Sequence, residues 1–295
     1  MVTTTQRPAR GEARADGPRV RRDLVYSVAD GHDLRLDLYV PDGPPAPLCV
    51  WLHGGGWMRG SRADRAAERL VPVAGNGVAV AAVQYRLSEQ ATFPAPLQDA
   101  RAAVRWLRAH GHEYGVDAGR MGVWGASAGG HLASLLALTS DGRDADLGNS
   151  SVQAAVCWFA PSDLLQMAND VPEGPPPPFV TGPPVQPSFE ARLLGADAAE
   201  DVPDEARAAS PVSHVHPGAP PFLLMHGDRD GLIPAEHSRR LFHALRTHGV
   251  DTALWLLHGA NHEDAAFEEP ASLAAVSGFL RDRLLVRGEH TAEAD

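Results

Sequence analysis

A serine between small residues is the first candidate for chemistry in this chain. Ser127 lies in the segment GASAG, which follows a short apolar run and opens a helical pattern. Glycines at positions 125 and 129 would let a strand and a helix cross closely at a sharp turn, and the hydroxyl would be exposed at the helix N-terminus. A serine in this position can attack an acyl carbon and form a covalent intermediate.

The partners of such a serine are expected after it in the chain, first an acid and then a histidine. The loop HGDRDGLIP offers Asp228 and Asp230, and the later loop HGANHED offers His258 and His262; each loop follows an apolar run. The histidine would take the serine proton, and the carboxylate would hold the histidine in the right tautomer. The residues alone leave the choice within each pair open.

A glycine run upstream could supply the hydrogen-bond donors that acyl transfer needs. Residues 53–57 read HGGGW and follow an apolar run. The backbone N–H groups of Gly55 and Gly56, with that of Ala128 directly after the serine, are candidates for binding the oxyanion of a tetrahedral intermediate. Three aromatic residues near predicted strand ends are candidate walls of the substrate pocket: Trp57, Trp158 and Phe159.

The composition argues against several other chemistries. A net charge of −11 over 295 residues disfavours a nucleic acid or an anionic membrane as partner. All 26 basic residues are arginine, which excludes a Schiff-base lysine, a P-loop and a Ser–Lys pair. His258 and His262 are four residues apart, but Gly259 disfavours the helix that would place both on one face. We therefore expect neither a metal nor a cofactor. We expect a small neutral ester as the binding partner. The sequence is compatible with a homo-oligomer but does not decide the oligomeric state.

Apolar runs alternate with helical patterns along most of the chain. A predicted hairpin is followed by six runs that are apolar on both faces, as buried parallel strands are. This alternation predicts an α/β fold with helices on both faces of a mainly parallel sheet of eight strands. The predicted strands are residues 24–28, 34–40, 48–52, 78–83, 121–124, 152–159, 222–225 and 253–257, and the predicted helices are 94–110, 127–139, 235–247 and 271–285.

One proline-rich segment, residues 163–220, interrupts this alternation and is predicted to be a small, partly mobile lid over the site, with a plain surface excursion as the alternative. The predicted domain covers residues 23–287, between disordered tails at 1–22 and 288–295. No apolar stretch suggests a signal peptide or a membrane helix, so a cytoplasmic location is expected. Cys49 and Cys157 lie in apolar runs and are expected to be core residues.

The motifs together resemble those of a known family. From about residue 39 to residue 285, the chain resembles the esterase branch of the α/β-hydrolase fold that includes hormone-sensitive-lipase-like esterases and bacterial feruloyl and acetyl-xylan esterase-like proteins. The resemblance rests on HGGGW, GASAGGHLA, HGDRDGLIP and GANHE. It implies that Asp230 is the triad acid and His262 the triad base.

The expected activity is hydrolysis of short-chain carboxylic esters through an acyl-enzyme. An arylformamidase that opens N-formylkynurenine is an alternative, since the same groups cleave a formamide and such enzymes share the HGG-x-W motif. Acetyl-xylan or feruloyl ester cleavage is a further variant. A small-molecule receptor that uses the pocket only for binding is the non-enzyme alternative, disfavoured by the complete triad. Fold alone does not decide among them.

Overall fold

A sheet of eight strands forms the centre of the molecule in a computed structural model, which describes residues 17–140, 148–182 and 185–285. The strands are β1 (Arg19–Ala29), β2 (His32–Val40), β3 (Ala46–Leu52), β4 (Ala79–Val83), β5 (Val116–Ala126), β6 (Ala155–Trp158), β7 (Phe222–Gly227) and β8 (Thr252–Leu257). Their order across the sheet is β1-β2-β4-β3-β5-β6-β7-β8.

The strand directions agree with the sequence prediction. β1 and β2 form an antiparallel hairpin around a two-residue turn, Asp30 and Gly31, in which both residues have positive φ. β2 also runs antiparallel to β4, and all later neighbours are parallel. Parallel strands need a crossover between them, and a helix supplies it in most cases here. The predicted mainly parallel sheet with an N-terminal hairpin is confirmed.

Helices cover both faces of the sheet. They are α1 (Ala66–Gly75), α2 (Ala95–His110), α3 (Ala128–Thr139), α4 (Phe189–Leu194), α5 (Pro203–Ala208), α6 (Glu236–Thr247) and α7 (Pro270–Leu285). On one face, α2, α3 and α6 bury Val104, Leu132 and Leu241 in a common core. On the other, α1 and α7 bury Leu70 and Leu280 in a second core. Each such side chain contributes about 2 kcal/mol through burial, so both layers hold the sheet in place.

Several boundaries differ from the sequence prediction. β1 begins at Arg19, inside the segment 1–22 that is expected to be a disordered tail; residues 1–16 of that segment, and the predicted tail 288–295, lie outside the described residues. Helix α1 was not predicted at all. It contains Pro72 and buries only a narrow set of residues, so its apolar pattern is short and interrupted.

The segment 163–220 connects β6 to β7 and contains more helix than predicted. It contains α4 and also α5, which begins with Pro203 and carries two acidic residues in its first turn. Both cysteines are fully buried, Cys49 on β3 and Cys157 on β6, as expected. Within the described ranges, no helix is both long and apolar enough to span a bilayer.

Candidate active site

Ser127 occupies a strained turn between β5 and α3. Its φ of 53° and ψ of −121° lie in a region that non-glycine residues rarely adopt, and its backbone N–H donates to the carbonyl of Trp158 at 2.9 Å. A Cβ atom on Gly125 would lie 2.2 Å from the carbonyl oxygen of Gly129, and one on Gly129 would lie 2.0 Å from that of Leu52. Only glycine therefore fits on either side of this serine, two residues away.

A chain of two hydrogen bonds joins the three predicted triad residues. Nε2 of His262 lies 3.0 Å from Oγ of Ser127, and Nδ1 of His262 lies 2.7 Å from Oδ2 of Asp230. Asp230 is fully buried and His262 nearly so, while Ser127 keeps 8% of its surface exposed. The three side chains follow β5, β7 and β8, whose carboxyl ends lie at one edge of the sheet.

The second oxygen of Asp230 is also occupied. Oδ1 accepts hydrogen bonds from the backbone N–H groups of Leu232 and Ile233, both at 2.8 Å. Burial alone raises the pKa of this carboxyl, but the neighbouring imidazoles of His262 and His226 outweigh it and hold the pKa below its usual range. Asp230 is therefore a fixed anion behind the histidine.

Asp228 and His258, the other candidates in the two loops, pair with each other instead. Oδ2 of Asp228 lies 2.9 Å from Nδ1 of His258, whose side chain is 99% exposed. Oδ1 of Asp228 accepts from the backbone N–H of Gly259 at 2.7 Å. The pair links the two loops at the surface and leaves the position behind His262 to Asp230.

The glycine loop after β3 lies close to the serine, since a Cβ atom on Gly54 would lie 3.4 Å from Cβ of Ser127. Gly55 has a φ of 116°, and its carbonyl accepts from the N–H groups of Met58 and Arg59, both at 3.2 Å, which closes the loop. Among the described residues, no hydrogen bond uses the N–H of Gly55, Gly56 or Ala128. All three residues line the same cavity as Ser127, so their N–H groups remain candidate donors for a ligand there.

The cavity in front of the triad has a volume of about 430 Å³. Trp57, predicted as a pocket wall, is one of its lining residues. Three apolar lining residues that the sequence does not predict come from the segment 163–220: Met167, Phe179 and Phe189. That segment has no motif to mark them, and only the fold brings them to the site.

Trp158 and Phe159 do not fit their predicted role as pocket walls. Both are fully buried and lie outside the cavity lining. Trp158 packs edge-on against Trp51 and Trp124 in the core, with ring centroids 6.3 and 4.8 Å away. The ring of Phe159 lies 4.6 Å from that of His262 and supports it from behind. A position at a strand end does not by itself say on which side of the sheet edge a side chain lies.

Two charged residues at the site were also missed. Glu263, directly after the triad histidine, forms an ion pair with Arg69 of α1, and both line the cavity. The sequence gives little indication of this ion pair, because Arg69 belongs to α1, a helix that the sequence does not predict. The part of the chain that the structure describes contains no group of three or more His, Cys, Asp or Glu side chains that could hold a metal ion.

A mainly parallel sheet of eight strands with helices on both faces, and a Ser-His-Asp arrangement at its carboxyl edge, define the α/β-hydrolase fold. The BD-FAE family model matches residues 36–245, so the chain belongs to the BD-FAE family within this fold.

Curated relatives carry esterase names. The chain is 31% identical over 273 residues to esterase LipQ of Mycobacterium tuberculosis, covering 88% of this chain and 61% of LipQ. It is 33% identical over 224 residues to esterase LipC of the same organism, covering 74% of this chain and 53% of LipC. The chain thus spans little more than half the length of these relatives.

A similar solved structure is described as a novel thermophilic esterase, Est2 of Thermogutta terrifontis. The identity is 27%, the TM-score is 0.68, and the match covers 92% of this chain and 95% of Est2. A further structure of Est2, matching with a TM-score of 0.69, has butyrate bound.

Proposed function

We propose that this protein is a serine esterase that hydrolyses short-chain carboxylic esters through an acyl-enzyme. The observation that carries the proposal is the hydrogen-bonded chain from Ser127 through His262 to Asp230, which lies at a cavity of about 430 Å³. The esterase names of the relatives and the butyrate bound to Est2 support the same reading.

The reaction begins with attack of Oγ of Ser127 on the ester carbonyl carbon, while Nε2 of His262 takes the hydroxyl proton. The anionic Asp230 stabilises the imidazolium that forms. The attack gives a tetrahedral intermediate with a negatively charged oxygen. The N–H groups of Gly55, Gly56 and Ala128 are the donors proposed for this oxyanion.

Collapse of this intermediate breaks the bond to the alcohol oxygen, which receives its proton from His262, and the alcohol leaves. A water molecule then attacks the acyl carbon and gives a proton to His262. The second intermediate releases the carboxylic acid, and the proton returns to Ser127.

The segment 163–220 is proposed as a lid whose apolar residues limit the length of the substrate. Phe189 contacts the glycine loop closely, because a Cβ atom on Gly56 would lie 2.6 Å from its ring. Phe179 lies 6.4 Å from the ring of His262 and is 46% exposed. A cytoplasmic location, the absence of a nucleic-acid partner and the mobility of the lid stay predictions from the sequence.

The test is a series of p-nitrophenyl esters from acetate to palmitate, with N-formylkynurenine beside it and Ser127→Ala as the matched variant. We expect turnover that is greatest for short acyl chains and falls by at least roughly 10⁴-fold in the variant, as the loss of a triad serine does elsewhere. Faster cleavage of the formamide than of any ester would favour the arylformamidase. No turnover of either class would overturn the enzyme proposal in favour of a receptor.

A further inference from the structure

Glu263 places a carboxylate oxygen next to Gly54, in the wall of the cavity and near the nucleophile. A Cβ atom built on Gly54 would lie 3.1 Å from Oε1 of Glu263 and 3.4 Å from Cβ of Ser127. Glu263 lines the cavity, and its side chain is 22% exposed. The ester hydrolysis proposed above uses the triad and the glycine loop and leaves this carboxylate without a task.

Arg69 holds the carboxylate from behind. The side chain of Arg69 is 3% exposed, and its guanidinium donates to Oε2 of Glu263 and, at 2.9 Å, to Oε1 of Glu268. The guanidinium carbon lies 5.8 Å from the ring centroid of Trp51 and 5.5 Å from that of Trp158. A buried guanidinium over two indole rings has little freedom, so Glu263 is oriented before any substrate arrives.

The backbone of Glu263 is also unusual. Its φ of 57° is one that glycine adopts freely and other residues rarely do. Such strain persists only where the surrounding structure enforces it, and it collects at functional sites. Glu263 is charged, has a strained backbone and lines the cavity, and this combination indicates a functional role.

One oxygen of the carboxylate is available to a ligand. Oε2 of Glu263 accepts from Arg69, whereas Oε1 has no hydrogen-bond partner among the described residues and lies beside Gly54, which lines the cavity. An anionic oxygen can only accept, so the ligand group must donate. The other charged lining residues are Arg59, Arg65 and Asp64, and this excess of arginine disfavours a cationic group. A neutral hydroxyl is the donor that fits.

We propose that Oε1 of Glu263 accepts a hydrogen bond from a substrate hydroxyl close to the scissile ester, and that the enzyme prefers esters carrying such a hydroxyl. This inference rests on the proposed esterase function. The hydroxyl can belong to the alcohol or to the acyl part of the ester, and the experiment separates these two sources.

The experiment uses two pairs of esters that differ by a hydroxyl in place of a methyl group. 2-Hydroxyethyl acetate with propyl acetate varies the alcohol, and ethyl glycolate with ethyl propionate varies the acyl part. The ratio of kcat/KM within each pair is measured for the wild type and for Glu263→Gly, whose glycine suits the local φ. We expect the ratio to fall about tenfold to a hundredfold in one pair, because a hydrogen bond to a charged acceptor is lost.

Two further variants sharpen the result. Glu263→Gln keeps the length of the side chain but not its charge, and we expect a smaller fall in the same ratio. Asp64→Asn removes another carboxylate from the cavity wall, one whose two oxygens already accept from the backbone N–H and the hydroxyl of Ser61 at 2.9 and 2.7 Å. We expect that variant to leave the ratio unchanged.

Ratios that stay the same in both pairs, or equal losses on both members of a pair, overturn the proposal. Titration with a fluorophosphonate counts the competent sites of each variant; if Glu263→Gly has none, an unchanged ratio in Glu263→Gln overturns it instead. Failure of the esterase proposal is seen separately, as absence of Ser127-dependent turnover of p-nitrophenyl acetate by the wild type.

Discussion

At the residue scale, the carboxylate behind the histidine is the most constrained group of the site. Asp230→Asn would keep the acceptor for the N–H groups of Leu232 and Ile233 but would present an amide N–H to Nδ1 of His262. The histidine would then be held in the wrong tautomer, and we expect kcat for p-nitrophenyl acetate to fall roughly 10⁴-fold. The fold should survive, as a thermal melt will show.

Asp228→Asn is the matched control for this prediction. Asp228 bonds His258 and the N–H of Gly259 at the surface, away from the triad. We expect its kcat to stay within about twofold of the wild type, since a surface pair contributes little. The triad assignment is wrong if the two aspartate variants behave the other way round.

The strained turn at Ser127 could be predicted from sequence because it needs small residues that are visible in the chain. The choice between Asp228 and Asp230 could not be made from local pattern, since both follow β7 within three residues. Only the resemblance favoured Asp230, and the hydrogen bond to His262 now gives the physical reason. Glu263 escaped attention because its role depends on a guanidinium almost two hundred residues earlier, in α1.

At the scale of elements, the crossing of β5 and α3 decides whether the nucleophile is in place. Gly129→Ala would bring a Cβ atom to 2.0 Å from the carbonyl of Leu52, which is backbone and cannot rotate away. We expect about 3 kcal/mol of destabilisation and a loss of about a hundredfold in kcat, because strand and helix must separate and carry Ser127 with them. Urea unfolding and turnover of p-nitrophenyl acetate measure the two effects.

The same substitution in α7 should act in the opposite direction. A Cβ atom on Gly278 would have no heavy atom within 4 Å, and the residue lies inside a regular helix. Gly278→Ala should therefore stabilise the protein by about 0.5–1 kcal/mol, through helix propensity, and leave turnover unchanged. Equal effects of the two alanines would contradict the proposed role of the close crossing between β5 and α3.

Elements were predicted best where burial is complete. The strands in the middle of the sheet are apolar on both faces and stand out in the sequence, whereas α1 contains a proline and shows a short apolar pattern. The segment between β6 and β7 is hard to predict for a different reason, because its contacts with the site are long-range. Its Phe179 and Phe189 line the cavity only because the chain folds back over the sheet edge. No periodic pattern in the sequence predicts such a contact.

At the scale of the whole molecule, three buried histidines with lowered pKa values make stability depend on pH: His53, His131 and His237. Burial lowers the pKa of His131 and of His237, each to about 4, and an unfolded histidine titrates near 6.5. The unfolded chain therefore binds more protons than the folded one between pH 6.5 and 4. Above that range, the free energy of unfolding is not reduced by these histidines. As the pH falls through the range, it decreases by up to about 3 kcal/mol for each of His131 and His237.

Urea unfolding at pH 7.5, 5.5 and 4.5 tests this prediction. His131→Gln would keep a donor for the carbonyl of Ala209, to which Nε2 of His131 bonds at 2.6 Å, but would not titrate. We expect a smaller loss of stability on acidification in that variant. His258→Gln, at an almost fully exposed site, should retain the full dependence of the wild type.

The sequence predicts the fold class, but it does not predict the order of the strands across the sheet. Alternation of apolar runs with helices restricts the fold to a few arrangements, because parallel strands need crossovers and the sheet must be covered on both sides. Which strands are neighbours depends on long-range packing. The placement of β4 between β2 and β3, for example, leaves no mark in any one segment.

The burial of both thiols has a practical consequence. Cys157 is fully buried, and burial raises the pKa of its thiol to about 12; burial raises the pKa of Cys49 as well, so neither forms the thiolate that alkylating reagents attack. A cysteine introduced at Val171, which is 80% exposed between β6 and β7, would be the one reactive thiol. A fluorophore attached there could follow movement of that segment in real time without any background label.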